Sequence, residues 1–237
     1  MANAFLKFAG AAALALVAAS AAAQEHLHEG DIELSISGGK IMTEGAHHTE
    51  YGTGYGIFEG DLDTLLSGPR WRTTDPGFDS DAGTFAPSDM LYFVPVGSLG
   101  FWDGDSWESP GSAVLVVRDS VDGTATYSGT GFTTSDGFDG FISDGGPTGS
   151  IHQHLTFTLQ NAPLGVMPAV GAYRIAMQLT SPSYTSSDPF WIVFNRGLSE
   201  EAFEESAHVM SVPEPETYAL MALGLGFVAF VARRRRV

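Results

Sequence analysis

The sequence predicts an all-β fold: an antiparallel β-sandwich or jelly roll carrying one short helix. An N-terminal signal helix and a C-terminal transmembrane helix are expected to flank it. Three observations carry the prediction. Between residues 24 and 211, apolar and polar residues alternate with the two-residue period of a half-buried strand. The alternating runs are short and bounded by Gly, Pro and Asp, the residues that turns demand. A helix start surfaces in one place, near residue 199. Many short strands joined by turns argue for stacked or closed sheets.

Taken in order, residues 31–36 alternate, with Ile32, Leu34 and Ile36 on one face. Residues 60–87 read as an elaborated loop, with turns at Gly68-Pro69, Asp75-Pro76-Gly77 and Ala82-Gly83. Residues 91–96 and 113–117 are short β-rich runs. Residues 151–160 read as one strand: Ile151, Leu155, Phe157 and Leu159 share a face with Gln153, and His152, His154, Thr156, Thr158 and Gln160 stand opposite. Residues 171–180 repeat the pattern through Tyr173, Ile175, Met177 and Leu179, and residues 190–194 form a nearly continuous apolar strand. The expected helix covers residues 199–210, with Ser199 as N-cap and Glu200 and Glu201 where the helix dipole favours negative charge.

The ends of the chain differ from this body. Residues 1–23 read as a secretory signal peptide, with Lys7, an apolar run rich in Ala and Leu, and Ala21-Ala22-Ala23 as a small-x-small site for signal peptidase. At the other end, Pro213-Glu214-Pro215 is a stiff segment, because two prolines fix φ and bias their neighbours toward extended backbone. Residues 218–232 then carry no charge, and Arg233, Arg234, Arg235 and Arg236 close the tail. As a helix this apolar run would be about 22 Å long, short of a hydrocarbon core of roughly 30 Å unless the arginines snorkel and the bilayer thins. Four arginines favour the cytoplasmic side, which places everything before Pro213 outside the inner membrane.

The three-part tail, residues 212–237, resembles the PEP-CTERM sorting signal of Gram-negative bacteria. The resemblance implies that a membrane-embedded exosortase cuts near Pro-Glu-Pro. The protein would be held transiently in the inner membrane and then delivered to the cell surface or the extracellular space.

The body, residues 24–211, reads as one domain. It holds 26 of the 28 acidic residues and only six of the 11 lysines and arginines, a formal charge of −20. Such a charge repels nucleic acid and anionic membrane surfaces, and it suits a protein that collects cations. The chain contains no cysteine, so its stability rests on the core and on any bound metal.

Histidines are the chemically informative residues. His152 and His154, at i and i+2 on a strand, would point the same way and could converge on one ion; His26 and His28 form a second pair of the same form. Imidazole suits zinc, which takes four ligands or three plus water, so His26 or His28 is expected to complete the site, with Glu29, Asp31 and His208 in reserve. The body also resembles extracellular proteins with a histidine near the mature N-terminus, a His-x-His strand and a Gly-x-Tyr strand opening. Here the matching residues are His26 or His28, His152-Gln153-His154, Phe157 and Gly171-Ala172-Tyr173. That resemblance implies a link to zinc supply. Phe157 stands where the pattern expects Trp, and residues 161–170 are inserted before the Gly-x-Tyr strand.

Weaker signals remain. Asp75, Asp79 and Asp81, then Asp103 and Asp105, then Asp136, Asp139 and Asp144 make oxygen-rich loops that calcium could use, although turns are built from the same residues. Trp71, Phe101, Trp102 and Trp107 could stack against an extracellular polysaccharide or pack internally. Residues 24–211 carry no nucleophile elbow, phosphate loop or His-Glu-x-x-His motif. The expectation is therefore a surface or matrix protein without catalytic activity. Zinc binding is the alternative, and a metal-dependent hydrolase using the same histidines is the remaining class.

Replacing Arg233 to Arg236 with neutral residues removes the charge that orients the tail, so unprocessed precursor should accumulate in an exosortase-positive host. Mature protein at normal yield on an immunoblot would overturn the sorting reading.

Overall fold

The computed structural model describes residues 30–212 together with Leu223 and Leu225. The signal peptide, His26, His28, Glu29, the Pro-Glu-Pro segment, the apolar run as a helix and the four arginines lie outside the described residues. Among the described residues no helix is long and apolar enough to cross a membrane.

Strand β1 (Ile32–Ser37) turns back into β2 (Lys40–Glu44) through Gly38 and Gly39, whose φ values of 58° and 79° are those of a two-residue hairpin turn that favours glycine. There follow β3 (His48–Thr49), β4 (Gly56–Asp61), β5 (Thr64–Leu66), β6 (Arg70–Thr73) and β7 (Phe78–Ser80). The long β8 (Met90–Trp102) leads to β9 (Trp107–Glu108), β10 (Ala113–Arg118), β11 (Thr124–Ser128), β12 (Gly131–Thr134) and β13 (Phe141–Asp144). Then come β14 (Ile151–Gln153), β15 (Thr156–Asn161), β16 (Gly171–Thr180), β17 (Phe190–Arg196) and the helix α1 (Glu200–Ser211). Residues 30–212 are mostly strand with one short helix, as their patterning predicts.

Three sheets result: a small one ordered β14-β7-β1-β2, a six-stranded one ordered β12-β11-β10-β15-β6-β5, and a large one ordered β13-β8-β16-β17-β4-β3 with β9 on β8. Pairing is antiparallel except for β1 with β7 and β17 with β4, which are parallel. All three sheets contribute to one apolar cluster, in which Phe157 of the six-stranded sheet meets Phe194 of the large sheet at 4.8 Å between ring centroids. A smaller cluster lies between the large sheet and α1: Ile57, Trp102, Ala172 and Val193 meet Phe203, Ala207 and Met210. The helix begins where Ser199 accepts a hydrogen bond from the Ala202 amide, and its first turn carries Glu200 and Glu201.

Two expectations need correction. Residues 60–87 are not one loop, since they supply β5, β6 and β7. The alternation there is too short and too polar to register as strand, yet Leu62, Phe78 and Phe85 are buried and pin it to the core. Residues 151–160 are two strands, because β14 pairs with β7 in the small sheet and β15 pairs with β6 and β10 in the six-stranded one.

Phe157 is fully buried, whereas the His152 side chain is 53% exposed. Phe157→Ala should cost about 3–5 kcal/mol of unfolding free energy. In metal-free buffer, His152→Ala and Thr156→Ala should each cost well under that, about 0.5 kcal/mol for the exposed histidine. Equal losses in urea titrations of all three variants would refute the assignment of faces.

Candidate metal centre

The small sheet gathers the histidine pair with carboxylates from elsewhere in the sequence. In β14 the apolar neighbour Ile151 points inward and is buried, which leaves His152 on the outer side, directly opposite Asp79 of β7. His152 Nδ1 lies 3.6 Å from Asp79 Oδ1. On its other edge β7 pairs with β1, and the contact closes tightly just before the ladder begins. Ile32 donates its amide to the Gly77 carbonyl at 3.0 Å, and Gly77 donates its own amide to Asp31 Oδ1 at 2.7 Å.

Asp31 is thereby locked with its second oxygen turned to the histidines. Its side chain is 6% exposed, and among the described residues Oδ2 has no hydrogen-bond partner. That oxygen stands 3.7 Å from His154 Nε2. His154 Nδ1 lies 3.0 Å from the Thr74 carbonyl and 3.3 Å from Asp75 Oδ1. A carbonyl only accepts, so in the neutral ring Nδ1 carries the proton and donates it, and the Nε2 lone pair faces the Asp31 side. A main-chain or carboxylate oxygen that fixes the far nitrogen is the usual outer support of a metal-binding imidazole.

Asp31, His152 and His154 each offer a ligand atom, all within 4.8 Å of one another. Ligands about 2.1 Å from a tetrahedral ion sit about 3.4 Å apart, so small side-chain movements would close this group on one ion. Gly77 is required for space. A Cβ there would fall 2.6–2.9 Å from ring atoms of His154.

The structure brings together His152, His154 and the reserve residue Asp31. The two histidines converge even though His154 lies beyond the end of β14 rather than on a continuous strand. His208 is elsewhere: it lies on α1, its ring centroid 6.4 Å from that of His48. Asp75 and Asp79, read from sequence as possible turn or calcium residues, stand beside the histidines; the proximity of β7 to β14 was the missing signal. Asp103 is a turn residue whose Oδ1 accepts from the amides of Asp105 and Ser106, and those hydrogen bonds hold its carboxyl below the usual range. The aromatic residues pack inward. Trp102 is buried under α1, Trp107 donates to the Ser206 carbonyl at 3.1 Å, Phe101 packs on Tyr173, and the guanidinium of Arg196 lies 5.2 Å over Trp71.

Asp31, Asp75 and His154 open on a cleft of about 710 Å³ whose lining also includes His47, Glu59 and Glu204. His47 Nδ1 is 3.3 Å from Glu59 Oε2, while His48 Nε2 is 3.9 Å from Glu59 Oε1 and 3.3 Å from Glu204 Oε2. Burial raises the pKa of Glu59, with repulsion from Glu204 adding to it and attraction from His47 and His48 opposing it.

Residues 211–236 match the PEP-CTERM protein-sorting motif. The chain therefore carries this sorting signal, which implies exosortase processing and export to the cell surface in Gram-negative bacteria. No curated protein matches the chain.

A carboxyl whose pKa is raised on folding binds its proton more tightly in the native state, so its contribution to stability is present at low pH and is lost as pH rises through the folded pKa. With chelator present, stability should therefore fall as pH climbs from about 4.5 through the raised value of Glu59. Glu59→Gln should flatten that fall. Parallel curves of urea midpoint against pH for the two proteins would show that the burial is not felt.

Proposed function

We propose that the chain is an exported, exosortase-sorted protein of the cell surface or extracellular matrix whose body binds a divalent metal ion through Asp31, His152 and His154. The observation that carries the metal reading is the Asp31 carboxylate. A buried carboxylate oxygen without a hydrogen bond is expensive, and a cation held jointly with two imidazoles would offset that cost. Two nitrogens and one carboxylate oxygen suit zinc among the common non-redox ions. His26 or His28 is the proposed fourth ligand. His28 stands three residues ahead of Asp31, and backbone length alone keeps it within roughly 10 Å.

The strongly acidic body and the sorting signal accord with a binding or structural role outside the cell. In this reading the metal serves the fold or is itself the cargo, and no reaction is assigned to it.

Because the metal binds only the folded arrangement, saturating zinc should raise the melting temperature of the full-length chain; a free concentration of 100 Kd corresponds to about 2.7 kcal/mol. His152→Ala, His154→Ala and Asp31→Asn should each reduce the rise, whereas His47→Ala should not. The rise should weaken on acidification, as protons compete with the metal for the imidazoles. A rise that is absent, or one untouched by these substitutions, would overturn the proposal.

A further inference from the structure

The cleft has a second group of ligating side chains, built from different elements. His48 lies on β3 opposite Ile57 of β4, and Glu59 is two residues beyond Ile57, so His48 and Glu59 share the face of the large sheet that α1 covers. On α1, Phe203, Ala207 and Met210 are buried against the sheet, and Glu204, next to Phe203, is carried to the same spot. One ligand atom each from His48, Glu59 and Glu204 lie within 4.8 Å of one another. The separations of 3.3 and 3.9 Å from His48 Nε2 bracket the spacing of about 3.4 Å between ligands of a tetrahedral ion.

The group is electrostatically incomplete. The Glu59 side chain is only 13% exposed, and its Oε1 is buried with no hydrogen-bond partner among the described residues. Among the described residues neither lysine nor arginine lines the cleft. Two carboxylates close enough to repel each other, one of them buried, are what a divalent cation relieves.

We infer that His48, Glu59 and Glu204 form a second divalent metal site, separate from the one at Asp31, His152 and His154, for a first-row transition metal ion such as zinc. Its ligands come from two strands and the helix, so the ion ties α1 to the large sheet immediately before the sorting signal at residues 211–236. His47 stays outside the set, because its Nδ1 faces the other Glu59 oxygen. The site stands apart from the function proposed above, and only the count of ions joins the two.

Calorimetric titration of chelator-treated full-length protein with zinc chloride at pH 7.5 tests it. The wild type should bind two equivalents. Glu204→Gln and His48→Ala should each bind one, the double variant His152→Ala/His154→Ala should bind the other, and combining the two sets should abolish binding. Glu204 is half exposed, so its substitution leaves the fold intact, and circular dichroism of each variant checks this. A second readout is amide exchange in residues 200–211: zinc should slow it in the wild type and in the His152/His154 variant, but not in Glu204→Gln. If Glu204→Gln and His48→Ala bind as much zinc as the wild type, these residues form ion pairs only and the inference fails. If instead His152→Ala/His154→Ala loses no equivalent while Glu204→Gln loses one, the second site stands and the first is refuted.

Discussion

Between Gln153 and Thr156 the chain leaves the small sheet and enters the six-stranded one, and the apolar core dictates how. Ile151, Leu155, Phe157 and Leu159 are all buried in the same cluster. Taking these side chains out of water outweighs the continuity of a single strand, since each is worth about 1.5–3 kcal/mol. With those four facing inward on both sides of the break, His152 and His154 are left outside. The crossover also sets β14 against β7, which brings Asp79 opposite His152. Through β7 it reaches β1, where the Gly77 amide holds Asp31. The histidine pair, its carboxylates and the close approach at Gly77 thus follow from one change of sheet.

Charge is the second constraint. The body carries 26 carboxylates against six lysines and arginines, and four of those cations are engaged elsewhere. Arg174 lies 4.4 Å over the Trp107 ring and 4.9 Å over that of Trp191, and burial lowers its pKa. Arg196 lies over Trp71, while Lys40 and Arg118 pair with Asp188 and Asp122 at the surface. Among the described residues that line the cleft only imidazoles stand against the carboxylates. A protein so composed must tolerate repulsion there, protonate, or take up cations, and two groups with ligand-like spacing favour the last.

α1 connects this chemistry to the end of the chain. Its apolar side closes the outer face of the large sheet over Trp102 and Val193, and the same docking presents Glu200 and Glu204 to the cleft. The helix is therefore both a lid on the second cluster and the lead into the sorting signal.

Several features were legible from the sequence by itself. Period-two alternation marked β1 and β16, and a β-rich or nearly continuous apolar run marked β10 and β17, within a residue or two, because each has one face or both against the core. Ser199 and the acidic first turn marked α1, since capping is a local matter of unsatisfied amides. The sorting signal was legible because the order and spacing of its three parts resemble those of a known family's tail. The His152–His154 pair was visible for the same reason as the strands: the core-facing residues around it announce themselves. Only the tertiary structure could decide the rest. β5, β6 and β7 are too short and polar to show a period, and they are strands because neighbouring strands supply their hydrogen bonds. Asp31 reaches His154 across 123 positions, and Glu204 reaches His48 across 156. Which carboxylates meet which imidazoles depends on sheet order and on the docking of α1, and those are set by the packing of the whole core rather than by any local pattern.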